Sequence, residues 1–477
     1  MQHYRALHDE FDPLPDQSSK KHFQRSFANA AIAITITLII IGLTGQFSNS
    51  FHSHDDWSLL LPESAERYLW FARTEGRWIN YLWTFVSFHL SADFSYVILI
   101  VIYGSTIFII TASLVSNAFF PIAYLALFFS PFVAENFGWS ASQIPATFVF
   151  LLSAVVIARV TSSNTAALAV FVGQIASLMT YPAVAPAILL CLVFFHPPAS
   201  HRQLLMYICL FVAAVFIATL LMSSINYFVS GHFGIEIAHW RCPHFGKSIA
   251  AAKENLIRHS VNALFSAKQY PEVLLLGLII FILGFIDRCT YRFAITTALI
   301  VAVILLYELM LTVITGTVTP NRARYWVWIA PLLVGIEGIR NGRKRWTNYA
   351  FGFCLTFFAG IGVWHWLGFY SNGKYVLSYY DALIKKAIQM QPLGSNRLFY
   401  YGERIVTPNT SIHSSGTGFS DYARVKYGLV IEQCPGSICS GNEALQSTDV
   451  VFLVHNQVVF RFAPSENDNP LEGAGCT

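Results

Sequence analysis

The side chains best suited to chemistry in this sequence gather just behind its first long apolar run: His52, His54, Asp55, Asp56 and Trp57, followed by Glu75, Arg77 and Trp78. Two adjacent carboxylates at the point where a membrane segment surfaces offer a general base. Either Asp55 or Asp56 could take the proton of a sugar hydroxyl as that hydroxyl attacks a lipid-borne donor. Like charges side by side raise one pKa, or one acid orients while its neighbour works. The competing reading is two solvated loop acids. His52, His54 and the two acids could also hold a divalent ion, but such loop clusters are ordinarily just hydrated, and no metal or other cofactor is expected.

A departing phosphate needs cations, and Arg322 and Arg324 stand immediately before an apolar run that opens with Tyr325 and Trp326. Guanidinium forks suit phosphate oxygens; snorkelling at a helix end is the alternative, with Tyr325, Trp326 and Trp328 as interface anchors. Arg77 follows the acids by one short helix and could fold back over them, with Trp78 or Trp57 stacking on a sugar ring beside Glu75. Trp70 and Trp83 read as an interfacial belt. Glu135 and Asn136 emerge on the same side and could bind the acceptor or bridge to the acid loop, or simply solvate a helix end. Glu308 lies inside an apolar run, roughly 12 Å from its end at 1.5 Å per residue. An acid at that depth is costly and therefore a site candidate; an internally paired packing residue is the alternative.

The elements that must hold these groups are membrane helices. Of 477 residues, 55% are hydrophobic and 12% charged, with a mean hydropathy of +0.51; soluble domains carry about twice that charge. The small net charge of +4 gives no reason to expect nucleic acid as a partner. The apolar runs count to about eleven spans. They comprise 27–47, two in 94–134, one ending at Arg159, two in 160–201, then 204–229, 273–286, 293–317, 325–339 and 349–370. Lys20, Lys21 and Arg25 put the amino end inside, and Arg159, Arg202, Arg288, Arg292 and Arg340 to Arg345 all fall on the same inner side. The expected organisation is a cytoplasmic tail over 1–26, retained because no cleavage site follows the first run. An all-α polytopic bundle follows over 27–370, with outer loops 48–93 and 230–270, and a small α+β extracytoplasmic domain over 371–477. Within loop 48–93 a short helix is expected at 62–70. Loop 230–270 carries apolar residues at helical spacing among Lys247, Lys253, Arg258 and Lys268, as a basic helix lying on a membrane surface would. In the tail, 374–390 reads as a helix leaving the membrane, and 398–406, 425–431, 450–454 and 458–462 as strands, the last two hinged at 455–457. Residues 464–477 read as a mobile end. Cys434 and Cys439 are spaced for a short disulfide loop in an oxidising compartment.

With Asp55-Asp56-Trp57 behind the first span, Glu75-Gly76-Arg77-Trp78, the outer Arg322 and Arg324, and a polar tail, the chain resembles the Gtr-type serotype-converting O-antigen glucosyltransferases. Through them it is similar to the wider GT-C class of membrane glycosyltransferases. The resemblance covers 27–370; the tail resembles nothing we can name. It implies inverting transfer of a glucosyl group from undecaprenyl phosphate to lipopolysaccharide O-antigen at the periplasmic face of a bacterial inner membrane. Asp55 or Asp56 would be the base, Arg322, Arg324 and Arg77 would face the donor phosphate, and Trp57, Glu75, Trp78, Glu135, Asn136 and Glu308 would be acceptor or sugar contacts. It also implies membrane lipids, a small flippase and a donor-lipid synthase as partners. The rivals are an O-antigen polymerase or ligase, which relies chiefly on outer arginines, and a lipid or sugar transporter, which would line the bundle with charge through both leaflets.

Overall fold

The computed structural model describes residues 17–48, 50–237, 243–342, 345–390, 398–401, 404–405, 414–435, 451–454 and 457–461. Its first helix, α1 (Gln17–Leu43), continues the apolar run backwards through Lys20, Lys21 and Arg25, so the helix begins within the segment expected as a tail. Three short helices then fill the expected first loop: α2 (His54–Ser58), α3 (Ser64–Glu75) and α4 (Trp78–Ser87). Helix α3 is the one anticipated at 62–70, and it stops at Gly76, whose φ of 72° is the left-handed turn a glycine takes without strain.

The bundle follows. Helix α5 (Ala92–Thr111) leads to α6 (Phe120–Phe128) and α7 (Pro131–Phe137), which meet at a 53° bend. Next come α8 (Ser140–Arg159), α9 (Ser163–Leu178), α10 (Val184–Phe195) and α11 (His201–Ser230). Helix α12 (Ile249–Gln269) turns 90° into α13 (Pro271–Ile286), and α14 (Tyr291–Thr315), α15 (Trp326–Asn341) and α16 (Arg345–Met390) complete the set. Six of these helices are long and apolar enough to cross a bilayer, or eight if each bent pair is one span. The chain is a predominantly helical membrane protein. Helix α10 is buried at every position from Ala185 to Phe194, as befits an element apolar on all sides at the centre of a bundle.

Helix α16 is one rod of 46 residues. At 1.5 Å per residue it is about 69 Å long, over twice the roughly 30 Å hydrocarbon core, so its last turns project from any bilayer it crosses. The segment 374–390, expected as a separate exit helix, is therefore its continuation. Where α16 crosses the α6–α7 bend, Gly362 lets the backbones meet: a Cβ there would lie 1.6 Å from the Phe129 carbonyl oxygen.

Beyond α16 come β1 (Leu398–Tyr401), the two-residue strands β2 (Arg404–Ile405) and β3 (Ser414–Ser415), α17 (Gly416–Tyr427), β4 (Ile431–Gln433), β5 (Val451–Val454) and β6 (Gln457–Arg461). Their main sheet runs β4-β1-β6-β5, with β1 parallel to both neighbours and β5–β6 an antiparallel hairpin. The strand expected at 425–431 is a correction. Residues up to Tyr427 are helical, because Phe419, Tyr422 and Ala423 bury one face at helical spacing, and extended structure begins only at Ile431, after Gly428 at φ +67°. Cys434 is disulfide-bonded, and Cys439 lies outside the described residues, as do the hinge positions 455 and 456, Arg343, Lys344 and the end 464–477.

Candidate active site

The loop that delivers the acids is tied down residue by residue. Phe51 N donates to Gln46 Oε1 at 2.7 Å, Ser50 N and Oγ both donate to Asp93 Oδ1 at 2.8 Å, and Ser53 N donates to the Gly138 carbonyl at 2.5 Å. Helix α2 then places Asp56 against the start of α8. Asp56 Oδ2 accepts from Ala141 N and Oδ1 from Ser142 N, each at 2.8 Å, and His52 Nδ1 lies 2.7 Å from Oδ2. The first N–H groups of a helix have no partner within it and carry the positive end of its dipole, so a carboxylate is the natural occupant. Asp56 fills that position from 85 residues upstream and is fully buried there. The side chains of His54 and Asp55 lie outside the described ones.

The same corner of the fold holds Arg322. Its guanidinium lies 4.5 Å from the ring of Trp139, the residue before α8, and its carbonyl accepts from Asn136 Nδ2 at 2.9 Å. Segment 135–142 thus joins the two clusters, Asp56 at its far end and Arg322 at its middle. Glu135 opens the segment and accepts from the Tyr270 hydroxyl at 2.7 Å, which in turn receives Gln269 Nε2 at 3.1 Å. Asn136 Oδ1 is buried with no hydrogen-bond partner among the described residues, the kind of orphan acceptor a bound hydroxyl would satisfy.

Other expected site residues have different neighbours. Arg324 is buried, its Nε donating to Glu308 Oε2 at 3.1 Å while Trp326 Nε1 donates to Oε1 at 2.7 Å. The deep acid of α14 is therefore one half of an internal ion pair, a partner sixteen positions away that returns across the turn into α15. Arg77 pairs with Glu75 across Gly76 and lies 5.5 Å from the Tyr181 ring, directed towards α3 and the α9–α10 turn. Trp78 is buried and donates to Asn226 Oδ1 of α11 at 3.0 Å; Trp57 is buried between His52, at 4.8 Å, and Tyr422 of α17, at 5.0 Å. Both indoles are committed to packing within the protein.

Two crevices flank α13. One, of about 340 Å³, runs between α12, α13, α14 and α15, from Tyr270, His259 and Arg324 down past Gly277 to Phe281; apart from those polar residues its lining is almost wholly apolar. The other, of about 760 Å³, lies between α13 and α16, where Gln269 and the pair His365–Glu272, 2.9 Å apart, sit among Phe357, Ile361 and Trp364. Helix α12, the expected basic surface helix, keeps Ile257, Leu264 and Phe265 exposed while Asn255 Nδ2 ties it to the Val313 carbonyl at the end of α14.

Trp139, His259, Tyr270, Glu272, His365 and Tyr422 were not singled out in the sequence. Tyr270-Pro271-Glu272 had a usable signal, a polar cluster with a helix-starting proline at the mouth of a span. Among the described residues no group of three or more His, Cys, Asp or Glu side chains is arranged to hold a metal ion. No protein-family model, curated protein or solved structure matches the chain.

Proposed function

We propose that the protein is an inverting glycosyltransferase that moves a sugar, most simply glucose, from a polyprenyl-phosphate carrier to a polysaccharide, in keeping with its resemblance to the O-antigen glucosyltransferases. The observation that carries this reading is the meeting of the acid loop and Arg322 on one segment, 135–142, beside a crevice that is apolar along its length and has the polar groups Tyr270, His259 and Arg324 at its head. A phosphate-linked prenyl chain has that shape and polarity.

The roles divide as follows. Asp56, closed in by three partners, anchors the loop, and Asp55 is the base. Asp55 takes the acceptor O–H proton while that oxygen attacks the anomeric carbon from the face opposite the phosphate; the carbon–oxygen bond to phosphate breaks, and its electron pair leaves with the phosphate. Arg322, held over the ring of Trp139, neutralises the charge that develops there. Arg324, paired with Glu308, keeps N–H donors at the head of the crevice, and Asn136 Oδ1 accepts from a sugar hydroxyl. Arg77 and Glu75 brace the turn into α4.

In this reading the bundle has eleven spans. The six long helices and two bent pairs are joined by α9, α10 and α15, with the amino end in the cytoplasm and the acid loop, α17 and the sheet outside, at the periplasmic face of a bacterial inner membrane. A flippase and a donor-lipid synthase would supply the substrate. Comparing the host's surface polysaccharide with and without the gene tests this. A side-branch sugar that depends on the gene supports it, and an unchanged glycan of unchanged length refutes it.

The enclosure of Asp56 also favours one rival, a glycan polymerase or ligase driven by outer arginines. That reading predicts that Arg322→Ala abolishes activity while Asp55→Asn leaves it intact, with glycan length or attachment altered in place of branching.

A further inference from the structure

Helix α2 is five residues long, too short to hold its own conformation. Its placement is imposed by what packs on it, and two elements do so. One is the start of α8, through Asp56. The other is α17, contributed by a part of the chain more than 350 residues away.

The contacts of α17 are divided between two neighbours. Towards α2 and α3, Asp421 accepts from Arg67 Nη1 at 2.9 Å, Arg424 pairs with Glu63, and the Tyr422 ring meets Trp57 edge-on at 5.0 Å. Towards the projecting end of α16, the Tyr422 hydroxyl and the Tyr427 hydroxyl, the latter at 2.7 Å, donate to Asp381, and Lys426 Nζ lies 3.2 Å from the same carboxylate. Trp57 directly follows Asp56 in sequence and packs on His52, whose Nδ1 meets the Asp56 carboxylate. A continuous line of contacts therefore runs from α16 through Asp381, Tyr422, Trp57 and His52 to Asp56.

From this arrangement we infer that α17 is the positioning element of the acid-bearing helix, a latch that holds α2 against α8 and so sets the geometry of Asp55 during transfer. The inference rests on the glycosyltransferase reading for its consequence, but not for the latch itself. The ion pairs that close the latch are partly exposed, Arg67 at 33% and Arg424 at 42%, and exposed pairs are individually weak. Asp421 and Arg67 are positioning residues: their pair seats α17 on α3, and α17 in turn holds α2 through Tyr422 and Trp57, so they act on the geometry of α2 and not on substrate.

The test is hydrogen exchange on the full-length protein in detergent, paired with steady-state kinetics. Asp421→Arg and Arg67→Asp should each raise amide exchange across 54–58 at least tenfold. Each should lower kcat at least tenfold, with KM for the lipid donor within about twofold of wild type. The double charge swap should recover both. If Arg67→Asp does not fold, Asp421→Asn, which removes the pair without adding a repulsion, should raise exchange across 54–58 about two- to fivefold over wild type. Unchanged exchange across 54–58 in the folded single variants, or no recovery in a folded double variant, overturns the latch. Exchange that responds and is rescued in a protein devoid of transferase activity retains the latch and overturns only the functional reading.

Discussion

Replacing Asp56 with asparagine changes one atom of a side chain that is closed to water, and the structure allows the cost to be worked out. The carboxylate accepts from two backbone N–H groups at the start of α8, one on each oxygen, and faces His52 Nδ1. Asparagine offers a single acceptor oxygen, so at the other position an NH2 would confront an N–H, donor against donor. The charge that complements the helix dipole is lost as well. Hydrogen bonds to a charged group contribute about 1.5–3 kcal/mol each, and breaking one side of a buried charged cluster costs about 3–5 kcal/mol, so a loss of about 4 kcal/mol is expected. At about 2 °C per kcal/mol for a large chain, the melting temperature should fall by about 8 °C. Thermal unfolding of the detergent-solubilised protein, followed by size-exclusion recovery, reads this directly. An Asp56→Asn protein that melts within about 1 °C of wild type would refute the reasoning that Asp56 is the anchor.

Further outcomes follow from other contacts. Arg324→Met leaves Glu308 buried beside Trp326 without its cation and should destabilise by about 3–5 kcal/mol, whereas the double variant Arg324→Met, Glu308→Leu should regain most of that loss in the same melting assay. Gly362→Ala sets a methyl group against the Phe129 carbonyl and must push α16 away from the α6–α7 bend; reduced yield of folded protein and a lower melting temperature are expected. Docking of α17 should weaken in acid. Burial works against the charge of Asp381, but hydrogen bonds from Tyr422, Tyr427 and Lys426 outweigh it and hold the carboxyl below its ordinary value. A depressed folded pKa contributes stability that is present above the unfolded value and lost as pH falls through the folded one. Protease cleavage around residues 428–430 should therefore accelerate below about pH 4, and a rate flat from pH 7 to pH 3 would contradict the assignment.

Much of the scaffold was legible because its signal is local. An apolar run the length of α5, α8, α11 or α14 admits few structures other than a span, and the two short apolar runs 450–454 and 458–462 around a polar hinge were enough to read the strands of the β5–β6 hairpin. What escaped was set by partners far away in sequence. Nothing near Asp56 announces that its oxygens belong to the N–H groups of residues 141 and 142. Glu308 and Arg324 each read as a site candidate, yet the turn between α14 and α15 makes them each other's counter-ion. Arg77 was expected over the acids, but with Glu75 two residues away and Gly76 allowing the turn, the nearer carboxylate prevails. Helix α17 was hidden for another reason. Val425 and the apolar residues after it favour a strand by composition, and only the burial of Phe419, Tyr422 and Ala423 on one face makes the segment helical.

The central claim is that Asp55 acts as the base of a sugar transfer in a loop anchored by Asp56. It is tested most directly by following radiolabelled sugar from a polyprenyl-phosphate donor onto polysaccharide in proteoliposomes containing wild type or Asp55→Asn. The account predicts that Asp55→Asn folds, melts close to wild type and transfers at least a hundredfold more slowly. Transfer by Asp55→Asn at the wild-type rate would contradict it.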